Sequence, residues 1–178
     1  FKELWINLFT GLGKVTYLEA DHIFTLFEGN RKLQIEYGAP AENIQIIPNG
    51  VHVEALSNPP SRALQRDSSR FRVGFVGRIV PIKDIKTLIK AARIVAQTVP
   101  DVEFYLCGPV DEDPDYFAEC TTLVNALGLT NIIKFTGPVD VKTYYPCFDL
   151  QVLTSISEGQ PLVILEGFCS GLPCVASD

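Results

Sequence analysis

The fold is decided by residues 71–99, which read FRVGFVGRIVPIKDIKTLIKAARIVAQTV. The short apolar run at residues 72–76 predicts a buried strand, and the helical spacing of apolar residues predicts a helix over residues 85–99. Alternating strands and helices with short connections predict an α/β fold, in which a Rossmann-like parallel sheet is covered by helices on both faces. The pattern continues to the end of the chain, with strands predicted at residues 102–107, 132–135, 150–153 and 174–176 and helices at residues 114–127, 141–148 and 161–170.

The sequence before residue 71 is organised differently. Residues 54–70 are rich in proline, serine and charges, which is typical of a linker or an exposed loop. Ahead of them the sequence predicts an amphipathic stretch at residues 1–20, strands at residues 22–27 and 44–47, and a helix at residues 30–37.

We therefore predict three parts: residues 1–50, a linker at residues 51–70, and the α/β region at residues 71–178. The chain opens at Phe1, contains no Met and stops directly after a predicted strand, so we expect it to be a segment of a longer protein. Because unpaired strand edges recruit other chains, we expect residues 1–50 to self-associate or to be poorly ordered.

The composition excludes several classes of protein. Hydrophobic residues make up 47% of the 178 residues, which favours a folded core over disorder. The formal net charge of −6 argues against a general nucleic-acid binder, which would be basic. The sequence shows no apolar run near the ~20 residues of a membrane span and no signal-peptide pattern. Its five cysteines include no CxxC pair, which predicts reduced thiols in a cytoplasmic protein.

Two basic residues mark the loop after the first strand of the α/β region. In parallel sheets, ligands bind beyond the carboxyl ends of the strands. Gly77 lets a ligand approach the backbone closely, and Arg78 and Lys83 lie five residues apart in the same loop. Their guanidinium and ammonium groups suit a diphosphate. The alternative is that both residues are ordinary surface cations.

Two glutamates mark a later loop and the helix after it, where residues 155–171 read SISEGQPLVILEGFCSG. Pro161 suits the first turn of a helix, so Glu158 lies in the preceding loop and Glu166 about one and a half turns inside the helix. Carboxylates that accept from hydroxyls, beside helix N–H groups that attract anions, suit a nucleotide sugar. The alternatives are that Glu158 complements the helix dipole and that Glu166 is a partly exposed helical residue.

A third acidic stretch, Asp111-Glu112-Asp113, is assigned a structural role. It resembles an Asp-x-Asp metal motif, but Asp113 precedes Pro114 and suits the N-cap of the next helix. We therefore predict no metal site.

Four stretches together resemble a known family. With Glu158 and Glu166 in an E-x7-E arrangement, the chain resembles the retaining glycosyltransferases of family 4, which have the GT-B fold, and among them the PelF-type enzymes of bacterial exopolysaccharide synthesis. The resemblance implies that residues 1–50 are the last elements of an N-terminal, acceptor-side Rossmann-like domain, and that residues 71–178 are a truncated nucleotide-sugar-binding domain. The four stretches are Glu28-Gly29-Asn30-Arg31, Ile47-Pro48-Asn49-Gly50, Gly77-Arg78-Ile79-Val80-Pro81-Ile82-Lys83-Asp84 and Ser155-Ile156-Ser157-Glu158-Gly159-Gln160-Pro161.

The resemblance also implies roles for the candidate residues. Arg78 and Lys83 would hold the diphosphate of the donor and offset its charge as it leaves, with no obligatory metal or cofactor. Glu158 would act with them by orienting the donor sugar, and Glu166 would accept hydrogen bonds from the ribose hydroxyls. The remaining contacts, from backbone amides to phosphate and sugar and from a loop to the base, would come from Gly159, Gln160, Leu162 and Val139.

The implied reaction is transfer of a sugar from a UDP-sugar to a growing exopolysaccharide or another glycan acceptor, with retention at the anomeric carbon. A polysaccharide synthase complex at the inner membrane is the implied protein partner. The segment alone is expected to be inactive, because the family's catalytic histidine lies in the missing acceptor-side region. Two alternatives stay open: a GT-B-like nucleotide-sugar epimerase, and a non-catalytic nucleotide-sugar-binding domain. A dinucleotide-binding module would need a GxGxxG after the first strand, which residues 77–82 do not supply.

Overall fold

The computed structural model describes residues 2–59, 61–65 and 67–177. The chain divides into two compact units, Phe1–Gly50 and Val51–Asp178. The three parts predicted from the sequence include four positions that lie outside the described residues, namely Phe1, Pro60, Arg66 and Asp178.

The first unit contains a two-stranded parallel sheet with a small core formed by Ile23, Ala39 and Ile44. Both predicted strands are present, and each is three residues long. Large apolar side chains of the first helix are exposed, among them Trp5 and Phe9. The elements are α1 (Lys2–Glu19), β1 (Ile23–Thr25), α2 (Glu28–Glu36), a 3-10 turn (Ala41–Asn43) and β2 (Ile44–Ile46).

The second unit is built on a five-stranded sheet in which every paired strand is parallel. Its strands follow the spatial order β5-β4-β3-β6-β7. From β3 the chain adds β4 and then β5 on one side. It then returns and adds β6 and then β7 on the other side of β3. The elements are α3 (Val53–Ser57), β3 (Phe71–Val76), α4 (Ile85–Val95), β4 (Val102–Cys107), α5 (Pro114–Ala126), β5 (Ile133–Gly137), α6 (Val141–Tyr144), β6 (Leu150–Leu153), α7 (Leu162–Cys169) and β7 (Cys174–Ala176), with 3-10 turns at Pro81–Lys83 and Tyr145–Cys147.

The strand side chains alternate between two hydrophobic clusters, as the period-2 geometry of a strand requires. Phe104 and Leu106 of β4 belong to the cluster that contains α4 and α5, whereas Tyr105 and Cys107 belong to the cluster that contains Leu56 of α3 and the Tyr145–Cys147 turn. Both faces of the sheet are therefore covered, and the predicted Rossmann-like α/β fold is confirmed.

The buried carboxylate of Glu103 is the centre of an ionic cluster that spans three neighbouring strands, β3, β4 and β5. Glu103 of β4 accepts hydrogen bonds from Arg70 at 2.6 Å, from Arg72 at 3.3 Å and from Lys134 at 2.6 Å. Burial raises the pKa of Glu103, but the hydrogen bonds from Lys134 and Arg72 outweigh it, so the pKa falls to about 2. Glu103 is therefore ionised at neutral pH.

Several helix boundaries differ from the predicted ones, and three of the differences have a clear local description. The helix predicted at residues 141–148 ends as an α-helix at Tyr144 and continues as a 3-10 turn, because Pro146 has no N–H to donate. The helix predicted at residues 85–99 ends at Val95, beyond which Ala96 N donates to Ala92 O at 2.9 Å and Gln97 N donates to Ile94 O at 3.2 Å. Pro161 lies one residue before α7, as its N-cap.

Part of the stretch predicted as a linker is folded. Leu56 of α3 is 5% exposed and lies in the hydrophobic core of the second unit. Ser57 donates a hydrogen bond from Oγ to the carbonyl of Cys169 at 3.2 Å, which ties α3 to the end of α7. The sequence did not indicate this short helix, because five residues give little periodicity and residues 54–70 are rich in Pro and Ser.

Candidate functional site

The loops after β3 and β6 are joined by hydrogen bonds to backbone carbonyls. These two strands are neighbours in the sheet, so their carboxyl ends open at the same edge. Ile156 N donates to Ile82 O at 2.8 Å, and Thr154 Oγ1 donates to the carbonyls of Lys83 and Asp84 at 3.0 and 3.1 Å. The two loops therefore form one connected structure, although they are more than 70 residues apart in the chain.

Lys83 and Glu158 form an ion pair between these loops. Lys83 Nζ donates to Glu158 Oε1, and Ser155 Oγ donates to the same oxygen at 2.6 Å. Burial raises the pKa of Glu158, but the hydrogen bonds from Lys83 and Ser155, together with the charges of Lys83 and Arg78, lower it overall. Glu158 is therefore an ionised acceptor, and Oε2 can accept from a ligand hydroxyl.

Arg78 lies close enough to Glu158 for its charge to lower the pKa of that carboxyl. Its own partner is Glu112, whose Oε2 accepts from Arg78 Nη1 at 2.9 Å. About half of each side chain is exposed, so this pair can separate at low cost. The predicted cap in the same acidic stretch is confirmed, because Asp113 Oδ1 accepts from Tyr116 N at 2.9 Å.

A pocket of about 230 Å³ lies against the loops after β3, β4 and β5. Gly77 N donates to Cys107 O, and Gly108 N donates to Gly137 O, both at 2.9 Å. Gly108 has a φ of +150°, and a Cβ there would lie 2.0 Å from Gly77 O. Only glycine fits this close approach of two backbones. The pocket is lined by Val76, Gly77, Arg78, Cys107, Gly108, Pro109, Pro138, Val139 and Val141.

A second pocket, of about 380 Å³, lies at the loop after β6, and Ser155, Glu158 and Gly159 form part of its wall. The chain then runs through Gln160 into α7, which begins at Leu162. Ile164 N donates to Pro161 O at 3.2 Å, whereas the N–H groups of Leu162 and Val163 have no carbonyl one turn earlier in the helix and can donate to an anion.

Glu166 has different surroundings from Glu158. It lies inside α7, and its Oε2 accepts a hydrogen bond from the Tyr145 hydroxyl at 2.7 Å. It lines neither of the two pockets. Tyr145 belongs to the hydrophobic cluster that also contains Val76 and Cys107, with Val139 packed against it, and these three residues line the smaller pocket.

The structure thus brings Lys83 and Glu158 into contact and Arg78 near them, while Glu166 is held separately by Tyr145. Ser155, expected to be a hydrogen-bonding loop residue, binds Glu158. Sequence reasoning did not identify Glu112 as the partner of Arg78 or Tyr145 as the partner of Glu166. Each contact joins segments far apart in the chain, and neither residue stands in a pattern that signals it.

In the part of the chain that the structure describes, no three His, Cys, Asp or Glu side chains are grouped so as to hold a metal ion. Over the same residues, no helix has the length and apolarity needed to cross a bilayer. The five cysteines are free thiols, of which Cys107, Cys120 and Cys147 are buried.

The second unit is a Rossmann-like α/β domain with charged loops at the carboxyl edge of its parallel sheet. The chain belongs to the family of glycosyl transferases group 1, whose model matches residues 70–178, more than half of the chain. A model for a domain of unknown function, DUF3492, matches residues 1–42.

Proteins similar to this chain include enzymes and solved complexes. The D-inositol 3-phosphate glycosyltransferase of Arthrobacter sp. is 28% identical over 82% of this chain and 36% of its own length. The UDP-Gal:alpha-D-GlcNAc-diphosphoundecaprenol alpha-1,3-galactosyltransferase of Escherichia coli is 29% identical over 76% of this chain and 36% of its own length. HepE of Anabaena, solved in complex with UDP and glucose, is 26% identical with a TM-score of 0.80, over 99% of this chain and 48% of HepE. The chain therefore spans about a third to a half of the length of these relatives.

Proposed function

We propose that this chain is the donor-binding half of a retaining glycosyltransferase, which transfers a sugar from a UDP-sugar to a growing exopolysaccharide or another glycan. The observation that carries the proposal is the Lys83–Glu158 ion pair, with Arg78 beside it, where the loops after β3 and β6 meet. Cations for a diphosphate and an acceptor for sugar hydroxyls are thereby held at the sheet edge where α/β domains bind ligands. Uridine diphosphate as the nucleotide of the donor is supported by the HepE complex, which contains UDP, and by the name of the Escherichia coli relative, which contains UDP-Gal.

Each group has a distinct task in this proposal. Arg78 and Lys83 bind the diphosphate and offset the charge that develops on it as the bond to the sugar breaks. Glu158 accepts hydrogen bonds from the donor sugar through its second oxygen, and Glu166 accepts from the ribose. Backbone amides from Gly159 through Gln160 to Leu162 add contacts to phosphate and sugar, and Val139 contacts the base in the smaller pocket.

The finer assignments are part of the same proposal. We assign the enzyme to the retaining family 4 and to the PelF-like enzymes on the motifs around Arg78, Lys83 and the E-x7-E pair. In this assignment residues 1–50 are the end of the acceptor-side domain, residues 51–70 connect the domains, and residues 71–178 bind the donor. The enzyme works in the cytoplasm, peripherally at the inner membrane, with a polysaccharide synthase complex, and the chain alone does not transfer sugar.

The test compares UDP with uridine, because only UDP carries the diphosphate. In titration calorimetry, Arg78→Ala should weaken UDP binding about tenfold or more and leave uridine binding nearly unchanged. Lys90→Ala, which removes a cation from α4, is the matched control and should change neither affinity. An equal loss for both ligands would contradict the diphosphate role of Arg78.

A second measurement tests the reaction. The protein extended by an acceptor-side domain should transfer sugar from at least one member of a panel of UDP-sugars. Release of UDP without glycan formation would favour an epimerase, and binding without turnover would favour a non-catalytic domain. Transfer by this chain alone would show that the catalytic groups are misassigned.

A further inference from the structure

Tyr145 is a buried residue whose hydroxyl contacts a residue of the proposed site. The residue is 0% exposed, and its hydroxyl donates to Glu166 Oε2 at 2.7 Å, with Val163 O as a second, longer acceptor at 3.4 Å. Burial, and then the hydrogen bond with Glu166, raise the pKa of Tyr145 well above its ordinary value. The phenol therefore stays protonated at neutral pH, and it is a fixed donor to the carboxylate.

The helix that carries Glu166 is held in one rotation about its axis. Gln151 of β6 is 0% exposed, and its Nε2 donates to Val163 O at 2.8 Å. A Cβ at Gly167 would lie 1.8 Å from Gln151 Oε1, so α7 packs closely against this buried side chain of β6 and a larger residue would have to displace it. The neighbouring residue on the same helix, Glu166, meets the Tyr145 hydroxyl.

The contact leaves the carboxylate with a defined orientation and free acceptor capacity. An ionised carboxylate has about four acceptor positions on two oxygens, and Tyr145 occupies one of them on Oε2. A ribose presents two neighbouring hydroxyls, which need acceptors in a fixed plane. A carboxylate that rotated freely would lose rotamer freedom on binding, whereas one held by a buried phenol does not.

We propose that Tyr145 is a positioning residue, whose hydroxyl holds the Glu166 carboxylate in the orientation that binds the ribose hydroxyls of the donor nucleotide. This proposal rests on the proposed function, in which Glu166 contacts the ribose. It adds a residue that does not touch the ligand and that sets the preference for ribose over deoxyribose.

The test compares UDP with 2′-deoxy-UDP, which lacks one of the two hydroxyls. Calorimetry on the whole chain should show that Tyr145→Phe weakens UDP binding about tenfold and changes 2′-deoxy-UDP binding little, so that the preference for ribose falls. Tyr144→Phe removes a hydroxyl one residue away and should keep the wild-type preference. An equal loss for both nucleotides would mean a structural role only and would overturn the proposal.

Glu166→Ala separates the two hypotheses. If the wild type does not prefer UDP, or if Glu166→Ala keeps the preference, the ribose role of Glu166 fails and the positioning proposal fails with it. If Glu166→Ala abolishes the preference and Tyr145→Phe keeps it, only the positioning proposal fails. If Tyr145→Phe does not fold, the buried hydroxyl proton of Tyr145 in the wild type replaces it as the probe. Its NMR signal should shift more with UDP than with 2′-deoxy-UDP, and equal shifts would overturn the proposal.

Discussion

Lys83 and Glu158 are 75 residues apart in the chain and form an ion pair at the carboxyl edge of the sheet. The side chain of Lys83 is 15% exposed and that of Glu158 is 24% exposed, so water screens the pair less than it would a surface pair. Any anion that binds Lys83 has to share it with Glu158. The pair therefore fixes the geometry of the site before a ligand arrives.

Removal of the ammonium should weaken donor binding. Lys83→Met keeps the length of the side chain and removes its charge, so UDP should bind about tenfold more weakly because one charge-assisted hydrogen bond is lost. Lys86→Met is the matched control, because Lys86 pairs with Glu119 at 2.5 Å on the surface between α4 and α5. Calorimetry measures both variants, and equal UDP affinities for Lys83→Met and the wild type would remove Lys83 from the site.

Neutralising Glu112 should have the opposite effect. Glu112 holds Arg78 at 2.9 Å, and a diphosphate has to displace it to reach the guanidinium. Since an exposed pair contributes about 0.2–1 kcal/mol, Glu112→Gln should strengthen UDP binding up to about fivefold. The same variant should leave uridine binding unchanged, and Glu119→Gln should change neither. Weaker UDP binding by Glu112→Gln would show that Glu112 supports the site.

Substitution of Gly108 should disrupt the loops around the smaller pocket. Gly108→Ala places a Cβ 2.0 Å from Gly77 O, so the backbone has to move, and we expect a loss of more than about 2 kcal/mol in the free energy of unfolding. Gly128→Ala is a matched control, because its φ of +68° is also positive but nothing lies within 4 Å of the added Cβ. Its loss should be about 1 kcal/mol. Urea unfolding measures both, and equal losses would contradict the steric argument.

The Glu103 cluster should determine much of the acid sensitivity of the fold. The folded pKa of Glu103, about 2, lies below its unfolded value of 4.5, so its contribution is fully present above about pH 4.5 and is lost as the pH falls through about 2. The shift corresponds to about 3 kcal/mol. Glu103→Gln should lower the free energy of unfolding at pH 7 by about that amount and flatten its decline between pH 5 and 2, whereas exposed Glu119→Gln should do neither. An unchanged acid slope in Glu103→Gln would contradict the assigned cause.

The sheet could be predicted from the sequence because each of its strands is a short apolar run next to a helix with regular apolar spacing. The four buried residues of α4, Ile85, Leu88, Ile89 and Ala92, show the spacing of one helix face, and Asp84 caps the helix by accepting from Thr87 N at 3.3 Å. The candidate residues could be selected because they lie in loops at strand ends. Their partners could not, because the contacts of Glu112 and Tyr145 depend on how distant loops pack.

The order of the strands has a consequence for how the protein is made. During synthesis β3, β4 and β5 emerge first and can pair with one another, whereas β3 pairs with β6 only once Leu150, which lies 77 residues after its partner Val73, has emerged. The charged edge where Lys83 meets Glu158 is thus completed only when the two parts of the sheet have joined. A molecule that binds there selects chains whose assembly is finished and stabilises them by mass action. Donor binding would then report the maturity of a newly made chain.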